Sequence, residues 1–187
     1  MTRRILLICI ICLTFVSSAA FAHDNCERNL DKPLSDPLYS TVYIRNWAAQ
    51  AVTETMTLTF ADHKQRLQDA SNYFTRTGWE KYLEAFDRSG QLKNIIEQKQ
   101  VMTSVIKGAP IIVKEGLVST DPNLMSFLND TPDSYTWTVE VPVLTSYQQG
   151  DKVMTTTYMI RVVIIRSAHP NNPDHIGITQ LIARRAE

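Results

Sequence analysis

The spacing of apolar residues changes once along the chain, near Gln100, and this change limits the possible folds more than any other feature. Before it, apolar side chains recur every three or four residues, which predicts α-helices with one buried face. After it, apolar and polar side chains alternate, which predicts strands with one buried face. Helices followed by strands predict an α+β fold, with N-terminal helices packed on an antiparallel sheet of four or five strands.

Four helices are predicted before this change. The first begins within residues 38–41, and the second follows Asp62, a residue type that suits the N-cap position. Thr77 and Glu80 have the spacing of a capping box and predict the start of the third helix. The fourth covers about residues 91–98. The apolar side chains at helical spacing are Val42, Trp47, Ala51, Val52, Leu58, Leu67, Ala70, Phe74, Trp79, Tyr82, Leu83, Phe86, Leu92, Ile95 and Ile96.

The clearest strand pattern runs over residues 135–147, and residues 153–166 return after a turn at residues 149–151. Weaker strand patterns lie on either side of this pair, in residues 101–118 and near residues 175–185. The side chains expected to face the helices are Tyr135, Trp137, Val139, Val141, Val143, Tyr147, Tyr158, Ile160, Val162 and Ile164.

Three polar or special residues of this pair allow further expectations. Glu140 and Arg161 should face each other across the two strands and form a surface contact. Pro142 cannot donate a hydrogen bond to a neighbouring strand, so we expect it at a sheet edge or a bulge. An edge strand would offer a seam for protein docking.

Residues 70–86 contain five aromatic rings, and they could form either a binding site or a core. The helical spacing of Phe74, Trp79, Tyr82 and Phe86 favours the core, because the stripe precedes a sheet with an apolar face of its own. Tyr73 falls outside this stripe and is the better candidate for a surface interaction.

The N-terminus has the order of features found in a secretory signal peptide. Two arginines precede a long apolar run, and Ala20 and Ala22 form an A-x-A cleavage site. We therefore expect residues 1–22 to be removed before His23, which leaves no membrane span and places the protein in the periplasm. The alternative is an uncleaved anchor, since the apolar run is near the minimum length that spans a bilayer.

The mature chain of about 165 residues has the size of one domain. Loss of the two arginines leaves 17 basic against 19 acidic residues. This balance predicts no nucleic-acid partner, because nucleic-acid binders carry a basic surface. Residues 23–37 are expected to be flexible, and residues 38–187 to form the domain. Cys26 would be its one cysteine, either unpaired or an intermolecular thiol.

Five collinear stretches of the sequence resemble the IcmL/DotI family of type IVB (Dot/Icm) secretion systems. They are WAAQAV (47–52), ASNYFTRTGWEKYLEAF (70–86), VIKGAPII (105–112), VPVLTSYQ (141–148) and IGITQLIA (176–183). The resemblance implies a curved sheet wrapped by helices, the cone fold of nuclear-transport-factor-like proteins. It also implies an assembly role beside the inner membrane, with secretion-system or other envelope proteins as partners and self-association as a further alternative.

Two features depart from the family pattern. Core members are held by an N-terminal transmembrane helix, whereas this chain has the pattern of a cleavable signal. The connection over residues 119–134 is also long, and long connections are often functional. Its apolar residues could form a docking helix or cover the open end of the sheet. They are Leu124, Met125, Phe127 and Leu128.

Candidate catalytic and metal-binding residues were sought along the whole chain. His63, His169, Asp174 and His175 match no short paired spacing of zinc ligands. The sequence also has no glycine-rich phosphate loop and no nucleophile elbow. We therefore expect a non-enzymatic protein-interaction domain with no cofactor or metal. The alternative is a soluble cone-fold enzyme or small-ligand binder, which would have a hollow interior lined by a buried Asp, His or Tyr.

Overall fold

The structure, a computed structural model, describes residues 32–120, 133–170 and 172–186. It confirms the α+β class, with four helices packed on a curled antiparallel sheet. The helices are α1 Thr41–Thr55, α2 His63–Ser71, α3 Arg76–Arg88 and α4 Gln91–Glu97. The strands are β1 Leu58–Thr59, β2 Val101–Ile106, β3 Ile111–Leu117, β4 Tyr135–Gln149, β5 Lys152–Arg166 and β6 Ile176–Arg185. In the described ranges, none of the helices has the length and apolarity needed to cross a membrane.

The strand order is β1-β2-β4-β5-β6, and β3 also pairs with β4. Because β2 and β3 pair with successive halves of β4, the edge position expected for Pro142 is wrong and β4 is a central strand. Pro142 lies where the partner of β4 changes, between the pairs Ile106–Val143 and Ile111–Glu140. At this position the Pro142 carbonyl accepts a hydrogen bond from the Lys107 N–H at 2.8 Å, and no donor is needed from the proline nitrogen. A proline is tolerated because no strand residue pairs with it on this side.

The inner face of β4 and β5 matches the predicted alternation. Trp137, Val139, Val141 and Val143 are almost fully buried, as are Ile160, Val162 and Ile164 on β5. Glu140 and Arg161 are paired across the two strands as expected, with Arg161 Nη2 donating to Glu140 Oε1 at 2.6 Å.

The ends and faces of the helices differ from expectation at several residues. The chain leaves α1 after Thr55, so that Leu58 joins β1 opposite Met102 and is buried there, although it was predicted on the helix face. Val42 and Ile96 were also expected to face the sheet, but they are 54% and 46% exposed. The buried stripe of α1 runs instead through Ile44, Trp47, Ala48, Ala51, Val52 and Thr55.

The start of α3 also differs from the prediction. The N-cap is Thr75 rather than Thr77, and its Oγ1 accepts a hydrogen bond from the Gly78 N–H at 3.1 Å. Asp62 does precede α2, but its carboxylate makes no cap bond to that helix. It accepts instead from the Thr59 amide and hydroxyl, at 3.1 and 2.6 Å, and these bonds lower the pKa of Asp62.

The aromatic stripe of residues 70–86 packs on the core as predicted. Phe74 and Phe86 are buried, while Trp79 and Tyr82 are half-buried against the same cluster. The rings touch in sequence, with centroids 5.2 Å apart for Phe74 and Tyr82 and 5.6 Å apart for Tyr82 and Phe86. The cluster thus joins α3 to the rest of the core.

Residues 32–36, here called the N-terminal strap, are bound to the sheet. The Leu34 carbonyl accepts from the Tyr135 N–H at 2.8 Å. Arg166, at the end of β5, is 1% exposed and donates to the carbonyls of Asp36 and Lys32 at 3.1 and 3.4 Å. The chain therefore enters the domain at the end of the sheet where β4 begins and β5 ends.

Candidate functional site

Most of the predicted site residues lie outside the described residues. These are Ala20, Ala22 and His23 of the cleavage site, the thiol Cys26, and Leu124, Met125, Phe127 and Leu128 of the long connection. Tyr73 is described and is half-buried, with its ring edge packed on Trp47 at a centroid distance of 5.5 Å. Burial raises the pKa of Tyr73, and the Glu54 carboxylate raises it further. Its role in interaction stays a prediction.

Asp174 has a structural contact that the sequence did not reveal. Its carboxylate accepts from Trp47 Nε1 at 3.0 Å, and its carbonyl accepts from the Tyr39 hydroxyl at 2.7 Å. These bonds join the loop before β6 to α1 and to the residues that precede it. In the described ranges, no three His, Cys, Asp or Glu side chains come close enough to hold a metal ion.

Asn172 is a second polar residue with a buried role. It is 2% exposed, its Nδ2 donates to the Phe74 carbonyl at 2.9 Å, and its Oδ1 accepts from the Ser167 hydroxyl at 2.9 Å. The loop before β6 is thereby tied to the segment that leads into α3. Polar loop residues give no sequence signal for such contacts, because partners such as the Phe74 carbonyl and Trp47 Nε1 lie far away in the chain.

The strand β3 forms one border of the sheet in the described part of the chain. In the part of the chain that the structure describes, β3 pairs only with β4, so its other edge has no strand partner. Ile111 and Val113 on this strand are 61% and 49% exposed. A shallow groove beside it is lined by residues 111–115 and by Thr41 and Arg45 of α1. The alternation rule missed this surface because a register shift between Ile112 and Lys114 interrupts the pattern.

Arg45 adds an unsatisfied donor to this groove. Its Nε is buried and has no hydrogen-bond partner among the described residues. A buried donor without a partner costs free energy, about 1–3 kcal/mol for a typical polar group.

A separate pocket lies between the helices and the opposite end of the sheet, near the β4–β5 turn. It has a volume of about 290 Å³. Its lining includes three phenol rings, Tyr82, Tyr147 and Tyr158, and the amide of Gln91. Its other walls are Met56, Ala85, Phe86, Ser89, Met102, Leu181 and Ala183. We refer to it as the tyrosine pocket.

Three polar groups of the tyrosine pocket form a short chain of hydrogen bonds, and a fourth bonds separately to the backbone. Gln91 Nε2 donates to the Tyr147 hydroxyl at 3.2 Å, and the hydroxyls of Tyr147 and Tyr158 are 3.3 Å apart. The Tyr82 hydroxyl donates to the Thr55 carbonyl at 3.4 Å. Sequence reasoning placed Tyr147 and Tyr158 on the inner face as core. A phenol at positions otherwise occupied by Val and Ile was the signal for a polar pocket.

The electrostatics of the tyrosine pocket favour binding over acid–base chemistry. Burial raises the pKa of Tyr147 to about 12, with a further contribution from Tyr158. Burial also raises the pKa of Tyr82. Phenols with raised pKa values stay protonated at neutral pH, and no charged side chain is among the described residues that line the pocket. These groups can donate hydrogen bonds, but they do not supply a base at neutral pH.

A sequence model of the DotI/IcmL family, whose description is a type IVb secretion system inner-membrane complex component, matches residues 13–185. The match covers nearly the whole chain, including all the helices and strands of the described ranges. No curated protein matches the sequence.

Several solved structures are similar to this fold. The periplasmic domain of DotI is 28% identical with a TM-score of 0.69, and the match covers 79% of this chain and 97% of that domain. A periplasmic fragment of TraM is 21% identical with a TM-score of 0.65, covering 79% and 99% of the two chains. An IcmL-like type IV secretion protein from Legionella pneumophila is 15% identical with a TM-score of 0.66, covering 80% and 95%. At these identities the last two show similarity of fold alone.

Proposed function

We propose that this chain, which belongs to the DotI/IcmL family of type IVb secretion system inner-membrane complex components, is a non-enzymatic assembly module that binds other proteins of that complex. We place it in the periplasm, peripheral to the inner membrane and exported by cleavage between Ala22 and His23. The observation that carries the proposal is the strand β3, which pairs only with β4 among the described residues and carries exposed apolar side chains.

The β3 edge suits a partner that adds an extended segment to the sheet. Backbone N–H and C=O groups on an unpaired edge bind such a segment, and side chains beside it give specificity. Ile111 and Val113 offer apolar contacts, and Arg45 lines the groove beside them. The register shift and the charged residues Lys114 and Glu115 limit indiscriminate pairing, because bulges and charges protect edges from aggregation. The proposed occupant is therefore a specific extended segment of another secretion-system protein.

Co-purification after crosslinking in the periplasm tests this function. Ile111→Lys and Val113→Lys should each reduce recovery of inner-membrane complex proteins while the melting temperature stays that of the wild type. Val153→Lys is the matched control, because Val153 is 62% exposed but lies on β5 beside the β4–β5 turn. Equal recovery from all three variants would contradict the β3 edge as the docking site. Dimer loss on light scattering would instead identify a second copy as the occupant.

The long connection and the processing of the chain have tests of their own. Polar substitutions at Leu124 and Phe127 should weaken partner recovery in a folded protein if that connection docks. N-terminal sequencing of the mature protein should begin at His23. An intact N-terminus in the membrane fraction would restore the anchored form.

The non-enzymatic assignment predicts that titratable side chains on the surface are dispensable. His63→Ala and His169→Ala should leave secretion-related function unchanged, because both histidines lie in or beside solvent-facing loops. Loss of function in a fully folded histidine variant would favour an enzyme.

A further inference from the structure

We propose that the tyrosine pocket is a binding site for an uncharged, mainly apolar small molecule that carries a hydrogen-bond acceptor such as a carbonyl oxygen. This goes beyond the assembly role. It requires a second site on the same domain.

The hydrogen atoms of the two phenols leave one donor unused. The Tyr147 hydroxyl accepts from Gln91, and a single hydrogen bond joins Tyr147 to Tyr158. One hydroxyl hydrogen makes that bond, whichever phenol donates it. The other therefore has no acceptor among the described residues. Tyr158 is only half-buried, so a ligand that shields this hydrogen from water has to offer an acceptor in return, because an unpaired buried polar group is costly.

The walls set the remaining chemistry of the ligand. Most of the lining is apolar, and the thioethers of Met56 and Met102 can adapt to the shape of a guest. The described lining has no charged side chain that could pair with an ion. A charged ligand would therefore lose its hydration without gaining an ion pair. A cavity of about 290 Å³ with few convergent polar groups is at the small end of known ligand sites.

The tyrosine pocket is independent of the β3 edge. β3 pairs with the beginning of β4, up to Glu140, whereas Tyr147 lies seven positions further along that strand. The tyrosine pocket and the groove beside β3 share no lining residue in the described part of the chain. Substitutions can therefore separate small-molecule binding from protein docking.

Three small probes of similar shape test the proposal on the processed protein. Acetophenone has the acceptor, α-methylstyrene replaces its oxygen by a CH₂ group, and benzoate carries a charge. Binding is followed by NMR of ¹³C-labelled methionine methyl groups. Met56 and Met102 line the pocket and should shift, while Met154, which is 61% exposed, and Met159 do not line it and should stay unchanged. We expect acetophenone to bind several-fold more tightly than α-methylstyrene, and benzoate to leave the spectrum unchanged at pH 7.

Two variants complete the test. The combined variant Gln91→Leu/Tyr147→Phe/Tyr158→Phe removes the amide donor and both phenol donors, so acetophenone affinity should fall about three- to tenfold while α-methylstyrene affinity is kept. Ala183→Phe fills the pocket from the last strand, where residue 183 is exposed, and should abolish binding of both probes in a protein that melts normally. Ile111→Lys should bind acetophenone like the wild type.

Several outcomes would overturn the proposal. Equal binding of acetophenone and α-methylstyrene would remove the role of the unused donor, and binding by benzoate would remove the preference for neutral ligands. Binding that persists in Ala183→Phe would place the probe elsewhere. If neither probe binds and Ala183→Phe lowers partner recovery, the pocket is a protein contact and not a ligand site. Failure of the β3-edge variants to affect docking would leave all these results unchanged.

Discussion

At the scale of single residues, Thr75 and Gly78 determine where α3 meets the sheet. The Thr75 N–H donates to the Ile178 carbonyl of β6 at 3.0 Å, and its hydroxyl oxygen accepts from the Gly78 N–H. Gly78 sits directly against the backbone of Ile178 and Thr179. The first turn of the helix is thus fitted to the sheet edge by backbone contacts.

The capping residue can be identified by two neighbouring substitutions. Thr75→Ala removes the cap and should lower the free energy of unfolding by about 1 kcal/mol. Thr77→Ala, at an exposed position in the same turn, should change it by less than about 0.5 kcal/mol. Urea denaturation measures both. A larger loss for Thr77→Ala would restore the capping box predicted from the sequence.

Gly78→Ala should destabilise the protein, although alanine normally favours a helix over glycine by about 1 kcal/mol. A Cβ at this position would overlap the Ile178 carbonyl oxygen and lie 2.9 Å from Thr179 Cα, and neither backbone atom can turn aside. The expected loss is about 1–3 kcal/mol, as for other overpacked sites. Chemical denaturation measures the free energy of unfolding of this variant. Ala85→Gly, at an exposed site on the same helix, is the control. A Gly78→Ala protein more stable than the wild type would contradict the close approach of Gly78 to β6.

At the scale of elements, Arg166 connects the end of β5 to the N-terminal strap. Its side chain is buried, and Nη1 and Nη2 donate hydrogen bonds to backbone carbonyls of the strap. A buried cation held by carbonyls fixes a segment that has no regular secondary structure. The N-terminal strap is thus held by the Arg166 side chain together with the backbone bond between Tyr135 and Leu34.

Arg166→Met keeps the length of the side chain but removes these donors. We expect faster amide hydrogen exchange at residues 34–36 and a loss of about 1.5–3 kcal/mol, the usual contribution of hydrogen bonds made by a charged group. Lys32→Ala is the control. It removes only the exposed 3.5 Å pair with Asp36, and such surface pairs contribute about 0–1 kcal/mol. Unchanged exchange in Arg166→Met would mean that the strap is held by other contacts.

At the scale of the whole molecule, the core lies between the helices and the inner face of the curled sheet. Trp137 is 1% exposed near the start of β4, and Trp79 is half-buried on α3 at the rim. Trp79 is therefore at the rim of the core, although Phe74 and Phe86 of the same stripe are buried. The centre is formed by β4 and β5, with α1 across them.

Truncation of the two tryptophans should distinguish centre from rim. Trp137→Ala should cost about 3–5 kcal/mol, as for a large side chain removed from a core. Trp79→Ala should cost about 1.5–3 kcal/mol, because part of its surface already contacts water. Equal losses in denaturant titrations would contradict this division.

Much of the architecture could be predicted from the sequence because apolar periodicity reports which face of each element is buried. The change of period near Gln100, the alternation in β4 and β5 and the pairing of Glu140 with Arg161 were all predicted correctly. The order of family-like stretches from residue 47 to residue 183 likewise led to the family that the match over residues 13–185 shows.

Only the tertiary structure decided which edge stays open, where a pocket remains and which threonine caps α3. These features depend on contacts between residues distant in the chain. Pro142 is accommodated in a central strand because two different strands meet beside it, and Asp174 and Asn172 bind groups about 100 or more positions away. The spacing of apolar residues along the chain reports the buried face of each element, but it does not report contacts between distant residues. The sequence alone therefore determined the fold class and the buried faces, and three-dimensional packing determined the surfaces available for binding.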